Sequence, residues 1–162
     1  AKARGRGTET AVIERRGRRR EDHDAEIANE LRKNGVELVC LAGYMRLLSS
    51  SFIQAFENRI INIHPSLLPA FPGLDAQRQA IEHGVKVSGC TVHFVDERLD
   101  SGKIVLQKAV TVKDDDTEET LAARILEQEH FLYPDAVQRI VLGEIRIGEG
   151  KNASVKNYKL KS

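Results

Sequence analysis

The sequence predicts an α/β domain whose helices pack in layers on a mainly parallel sheet. Helical patterns alternate with short apolar, strand-like runs along the chain. The run Val36–Leu41 is of the kind that is buried on both faces of a parallel sheet. The 162 residues suffice for one domain with a substantial core.

Each element follows from local pattern. Thr10–Ile13 is a short apolar run, read as a strand. Asp22 to Asn34 reads as a helix with Ala25, Ile27, Ala28 and Leu31 on its apolar face, and Asn34-Gly35 stops it. Val36–Leu41 is the next strand. Ser49 to Phe56 reads as a short helix capped by its serine, and Arg59–Ile63 as a strand. Asp75 to His83 is a helix closed by Gly84. Val87–Val95 and Ile104–Val112 are strands joined by an Asp/Gly-rich loop. Thr117 opens a long helix with Glu118 and Glu119 in its first turn, where the helix dipole favours negative charge. Pro134 is expected to break or restart it. From Glu144 onward an irregular hairpin or tail is expected.

Composition narrows the function classes. The chain is 41% hydrophobic and 30% charged, as soluble globular proteins are. No apolar run approaches the ~20 residues that span a bilayer, and the first residues lack a signal-peptide core. Cys40 and Cys90 stand apart in apolar runs, with no metal-ligand cluster around them, and are read as small buried hydrophobes in a reducing cytosol. The net charge of +1 hides an asymmetry. Residues 1–20 hold eight Lys or Arg and two Glu, which leaves 17 basic and 22 acidic residues elsewhere. The body is therefore mildly acidic. The basic end has no interleaved aromatics, so a solvated surface is expected there rather than a nucleic-acid site.

Three features could do chemistry together. Asn62-Ile63-His64 ends a strand, where residues two apart share a face, so Asn62 and His64 aim at one spot. Strand carboxyl ends line the ligand crevice of α/β sheets. An amide donor beside an imidazole suits a carbonyl whose oxygen becomes negative. Pro65 to Gly73 follows, stiffened by Pro65, Pro69 and Pro72. Leu99-Asp100-Ser101-Gly102 offers a carboxylate that could pair with His64 and favour its charged form. Each feature taken singly is also what an ordinary cap, loop or turn looks like.

The stretches LAGYMRLLS (Leu41–Ser49), NIHPSLLPAFPGLDA (Asn62–Ala76) and GCTVHFVDERLDSGKIVLQ (Gly89–Gln107) closely resemble the phosphoribosylglycinamide formyltransferase family. The resemblance runs from about Thr8 to Ile147, and Phe71-Pro72-Gly73 points to the glycinamide branch. It implies a Rossmann-like three-layer sandwich, the formyltransferase fold, over residues 1–147, with 148–162 as a C-terminal tail. It implies transfer of a formyl group from the co-substrate 10-formyltetrahydrofolate to the amine of 5-phosphoribosylglycinamide in purine biosynthesis. The partners implied are small molecules in the cytoplasm, with no metal, nucleic acid or membrane.

The same resemblance assigns roles. Asn62 and His64 would hold the oxyanion, with His64 as proton donor. Asp100 would support the charged His64 and assist proton removal from the amine. Met45, Arg46, Leu47 and Leu48 would line the folate pocket. Asp96, Glu97, Arg98, Leu99 and Asp100 would close over the pterin end. Arg20 matches a folate-contacting arginine. Glu129 matches an acid that holds the substrate ribose, with Leu126 beside it. His93 is read as structural, and His23, His83 and His130 as surface or packing residues. The family begins with a strand and a glycine/asparagine-rich phosphate loop, a backbone anion cradle. No such segment is found here, so an N-terminally truncated domain is expected. A formyltetrahydrofolate hydrolase of the same superfamily, or an inactive folate-binding fragment, stays open as an alternative. A methionyl-tRNA formyltransferase would need a further C-terminal barrel.

Overall fold

The computed structural model describes residues 3–146 and the strand pair partner Ser154–Val155. Helix α1 spans Arg20–Lys33, strand β1 Val39–Leu41, helix α2 Ser50–Ala55 and strand β2 Ile60–His64. Helix α3 follows at Ala76–Glu82, then strands β3 (Val87–Phe94) and β4 (Ile104–Thr111), then helix α4 (Glu118–Val141). The short strands β5 (Ile145–Arg146) and β6 (Ser154–Val155) pair as an antiparallel hairpin, as expected from Glu144 onward. The remainder of the tail at 148–162 lies outside the described residues.

The main sheet has the order β1-β2-β3-β4. Only β1 and β2 run parallel; β2–β3 and β3–β4 are antiparallel. The α/β layering is therefore as expected, while the sheet among the described residues is mixed rather than mostly parallel. The direct β3–β4 connection is too short for a parallel crossover, whereas β2 and β3 are antiparallel although α3 lies between them in the chain.

Period-two alternation on β2 builds the layers. Ile60 packs with Ala28 of α1, Phe52 of α2 and Phe56. Ile61 points the other way, into a cluster with Val92, Phe94, Val105 and Ala136 of α4. A third cluster joins Ala80 of α3, Cys90 and Val110 of the sheet, and Leu121 and Ile125 of α4. Helices thus cover both faces of β2. Ser49 caps α2 by accepting the Phe52 N–H, a contact that contributes about 1 kcal/mol. Thr117 and Thr120 form a reciprocal capping box that starts α4.

Four local expectations are corrected. Thr10–Ile13 is not a strand; among the described residues no strand pairs with it, and Val12 is exposed. The strand expected over Val36–Leu41 is confined to Val39–Leu41, and only Val39 is buried. Cys40 is accordingly exposed on this outer strand, whereas Cys90 is buried, and burial pushes its thiol up to about 11. Pro134 sits inside α4 without ending it. The loss of one backbone hydrogen bond is offset by Leu132, Tyr133, Ala136, Val137 and Ile140, which hold both flanking turns on the sheet. Of the histidines read as surface or packing residues, His23 is buried and packed, while His83 and His130 are exposed. No helix of the described residues is long and apolar enough to cross a membrane.

Candidate active site

On β2, Asn62 and His64 share a face opposite Ile61 and Ile63, as strand geometry requires. The antiparallel register sets Asn62 opposite His93 and His64 opposite Thr91 on β3, and Thr91 in turn opposite Gln107 on β4. One face of the central sheet is therefore a polar patch, while the reverse face, with Ile61, Val92 and Phe94, is apolar.

The loop after β2 is fastened to this patch. Thr91 Oγ1 accepts the Leu68 N–H at 3.0 Å and donates to Ser66 O at 2.7 Å. Gln107 Nε2 donates to Leu68 O at 2.9 Å and to Thr91 Oγ1 at 3.0 Å. The Leu68–Pro69 peptide is cis. So held, the loop presents Phe71 O, which accepts His64 Nε2–H at 2.8 Å. This fixes the ring and leaves Nδ1 as its open edge.

The β3–β4 loop supplies the carboxylate. Gly102 lies so close to the end of β3 that a Cβ there would stand 1.7 Å from Phe94 O. Only glycine permits this return. Asp100 adopts a left-handed φ of 46°, and its Oδ2 accepts the Gly73 N–H at 2.8 Å. That same oxygen lies 3.4 Å from His64 Nδ1, while Oδ1 lies 3.7 Å from His93 Nε2. The expected His64–Asp100 pairing is thus present in the geometry. With Nε2–H committed to Phe71 O, a hydrogen bond from His64 to the carboxylate uses a proton on Nδ1.

His93, read from the sequence as structural, also takes part. Its Nδ1–H donates to Phe94 O at 3.0 Å, so Nε2 is the acceptor for Asn62 Nδ2–H at 3.3 Å. Burial pushes His93 below the ordinary histidine range, which keeps this acceptor edge free of a proton. One Asn62 N–H is thereby occupied and the amide oriented, and Asn62 lines a cavity. Only the pairing register reveals this relationship.

A cavity of about 900 Å³ opens on these groups, at the large end for small-molecule sites. Its lining includes Asn62, His64, His93 and Asp100, the Met45–Leu48 and Asp96–Leu99 segments, and Leu126 and Glu129 of α4. Met45 is 76% exposed, so it is a wall residue and not core. Burial pushes the Glu129 carboxyl above the usual carboxylate range. Tyr133, one turn further along α4, donates its hydroxyl toward Leu41 O (2.7 Å) and Ile61 O (3.1 Å) and ties the helix to β1 and β2. Arg20 stands apart from the main cavity. It lines an adjoining cleft of about 320 Å³ with Arg15, Arg46 and Leu47, and its guanidinium pairs with Glu21.

Comparison with known proteins agrees with this geometry. Residues 1–137 match the protein family described as formyl transferase. The chain is 52% identical over 115 residues to phosphoribosylglycinamide formyltransferase of Bacillus subtilis (strain 168), covering 71% of this chain and 59% of that protein. It is 47% identical over 150 residues to the trifunctional purine biosynthetic protein adenosine-3 of Gallus gallus, covering 91% of this chain but 15% of that much longer protein. The crystal structure of glycinamide ribonucleotide transformylase 1 from Symbiobacterium toebii superimposes with a TM-score of 0.92 at 51% identity, covering 96% of this chain and 73% of that one. The polar patch, its two loops and the extent of these matches lead to one assignment: the chain belongs to the formyl transferase family.

Proposed function

We propose that the protein transfers a formyl group from 10-formyltetrahydrofolate to the amine of 5-phosphoribosylglycinamide, a step of de novo purine biosynthesis carried out among cytoplasmic small molecules. The observation that carries this reading is the convergence of Asn62, His64 and Asp100 on a large cavity. Its lining offers apolar surface for a ring system, from Met45, Leu47 and Leu99, together with the Glu129 carboxyl.

In this mechanism the uncharged amine attacks the formyl carbon. The C–N bond forms as the carbonyl π pair moves onto oxygen. The second Asn62 N–H and a proton on His64 Nδ1 stabilise that oxyanion. The preorganised amide costs no reorientation at the moment of reaction, because His93 already holds it. Asp100 lies beside Nδ1, where it stabilises the charged ring and takes part in removing the amine proton. Collapse of the intermediate breaks the bond to the folate nitrogen, which leaves protonated as tetrahydrofolate. Glu129 accepts hydrogen bonds from ribose hydroxyls, and Met45–Leu48 with the 96–100 loop hold the folate ring. Arg20 faces the distal end of the folate from its adjoining cleft.

The test is an assay of the intact protein with both substrates, following tetrahydrofolate and formylated product together. Equal amounts of both support the reading. Tetrahydrofolate and formate released without the amine substrate would identify a hydrolase and overturn it.

A further inference from the structure

In the Gly43–Leu48 wall of the cavity, Leu48 packs against the core cluster beneath α1 and α2. Met45 is 76% and Leu47 53% exposed, yet both line the site. Beyond the packing of Leu48, the segment is held by a buried polar cluster on α1 that takes no part in the chemistry above. Asp24 is 0% exposed, and its Oδ2 accepts the Ser49 N–H at 2.7 Å. Its Oδ1 accepts the Tyr44 hydroxyl at 3.4 Å. The carboxylate thus bonds to both ends of the wall. The Arg46 side chain is folded into the same cluster: Nη2 lies 3.9 Å from Asp24 Oδ1, and donates to Tyr44 Oη at 2.7 Å and to His23 Nδ1 at 3.1 Å. Its guanidinium lies 5.2 Å from the centre of the Tyr44 ring. His23 in turn donates Nε2–H to Ile13 O at 2.9 Å, which leaves Nδ1 as the acceptor that Arg46 requires.

We propose that Asp24 is a positioning residue: it clamps Tyr44, Arg46 and Ser49 so that the exposed Met45 and Leu47 side chains are held as a preformed wall for the co-substrate ring. The physical reason is entropic. Two exposed apolar side chains on an irregular segment lose order readily, and a ligand that must order them binds more weakly. A buried carboxylate shared among a backbone N–H, a hydroxyl and a guanidinium removes that cost before binding. Asp24 does not line the cavity, so its effect passes entirely through the segment it holds. The identity of the ligand rests on the folate reading; the clamp itself does not.

The experiment compares the intact protein with Asp24→Asn and the milder Tyr44→Phe, which removes one hydroxyl and keeps the ring. Hydrogen exchange over residues 42–49 is measured beside kcat and KM for each substrate. Asp24→Asn should speed exchange over that segment and raise KM for 10-formyltetrahydrofolate about tenfold, with kcat and KM for the amine substrate within about twofold. Tyr44→Phe should shift the same two readouts in the same direction, by less. Faster exchange with an unchanged folate KM would overturn the positioning role. A fall in kcat, or accelerated exchange throughout β2 and β3, in the Tyr44→Phe protein would overturn it too, since general destabilisation would then explain the result. If the wild-type protein transferred no formyl group, the exchange measurement would still test the clamp and only the folate reading would fall.

Discussion

Asp100 Oδ2 lies 3.4 Å from His64 Nδ1 and is fixed there by the Gly73 N–H, so the loop after β2 steers the carboxylate of the loop after β3. Asp100→Asn isolates its charge, because asparagine tolerates the left-handed backbone and can still accept from Gly73. Turnover should fall about 10²–10³-fold, as expected when one electrostatic partner of a developing oxyanion is lost. His64→Ala should fall by at least as much. Circular dichroism and melting should show folded proteins, and wild-type turnover in either would remove these residues from the mechanism.

His93 tests the orientation of Asn62. His93→Phe fills the volume but offers no acceptor, so the Asn62 amide is free to turn; kcat should drop about tenfold. The same substitution has a signature in stability. Burial holds the folded His93 pKa below its unfolded value, so its neutral form favours the fold above the ordinary histidine pKa. That contribution is lost as pH falls from there toward the lowered folded value. The wild-type melting temperature should decline with acid across this window, and His93→Phe should flatten that limb. An unchanged pH profile would contradict a neutral buried ring.

Glu129 has the opposite sense. Its folded pKa is raised, so the neutral carboxyl suits the unliganded fold, and stability is lost as pH rises through the raised value. Glu129→Gln should therefore melt higher than wild type at neutral pH. If the carboxylate holds ribose hydroxyls, the substitution should also raise KM for 5-phosphoribosylglycinamide about tenfold, with the folate KM unaltered. A higher melting temperature with unaltered KM would place Glu129 outside the substrate site.

Gly102→Ala tests the loop that carries Asp100. The added Cβ would meet Phe94 O at 1.7 Å, so backbone must shift. We expect a loss of about 1–3 kcal/mol in chemical denaturation together with a large fall in kcat, because Asp100 is two residues away. Loss of stability without loss of turnover would mean that the loop can return by another path.

What could be read from the sequence was whatever depends on local period and turn chemistry. Strand alternation put Asn62 and His64 on one face, Ser49 and Thr117 announced their helices, and the motif resemblance brought the distant Asp100 to the same place. The remainder depends on which strands are neighbours. His93 looks like any buried strand histidine until the register sets it opposite Asn62. Cys40 looks buried until β1 proves to be an outer strand of the sheet. Asp24 reads as one more charge on a charged helix, because its partners at Tyr44, Arg46 and Ser49 lie twenty or more residues further along. Pro134 signals a break locally, but tertiary packing on either side outweighs the signal.

The Tyr133 hydroxyl, which reaches Leu41 O and Ile61 O, also sets a span. Ile61 adjoins Asn62, and Glu129 stands one helical turn before Tyr133. Asn62 and Glu129, both lining the cavity, are thus tied through one hydroxyl that joins α4 to β1 and β2. Under the proposed function such a site would work as a caliper: it would measure the distance from the substrate amine to its ribose hydroxyls, and a molecule with the right groups at the wrong spacing would fail to engage both jaws.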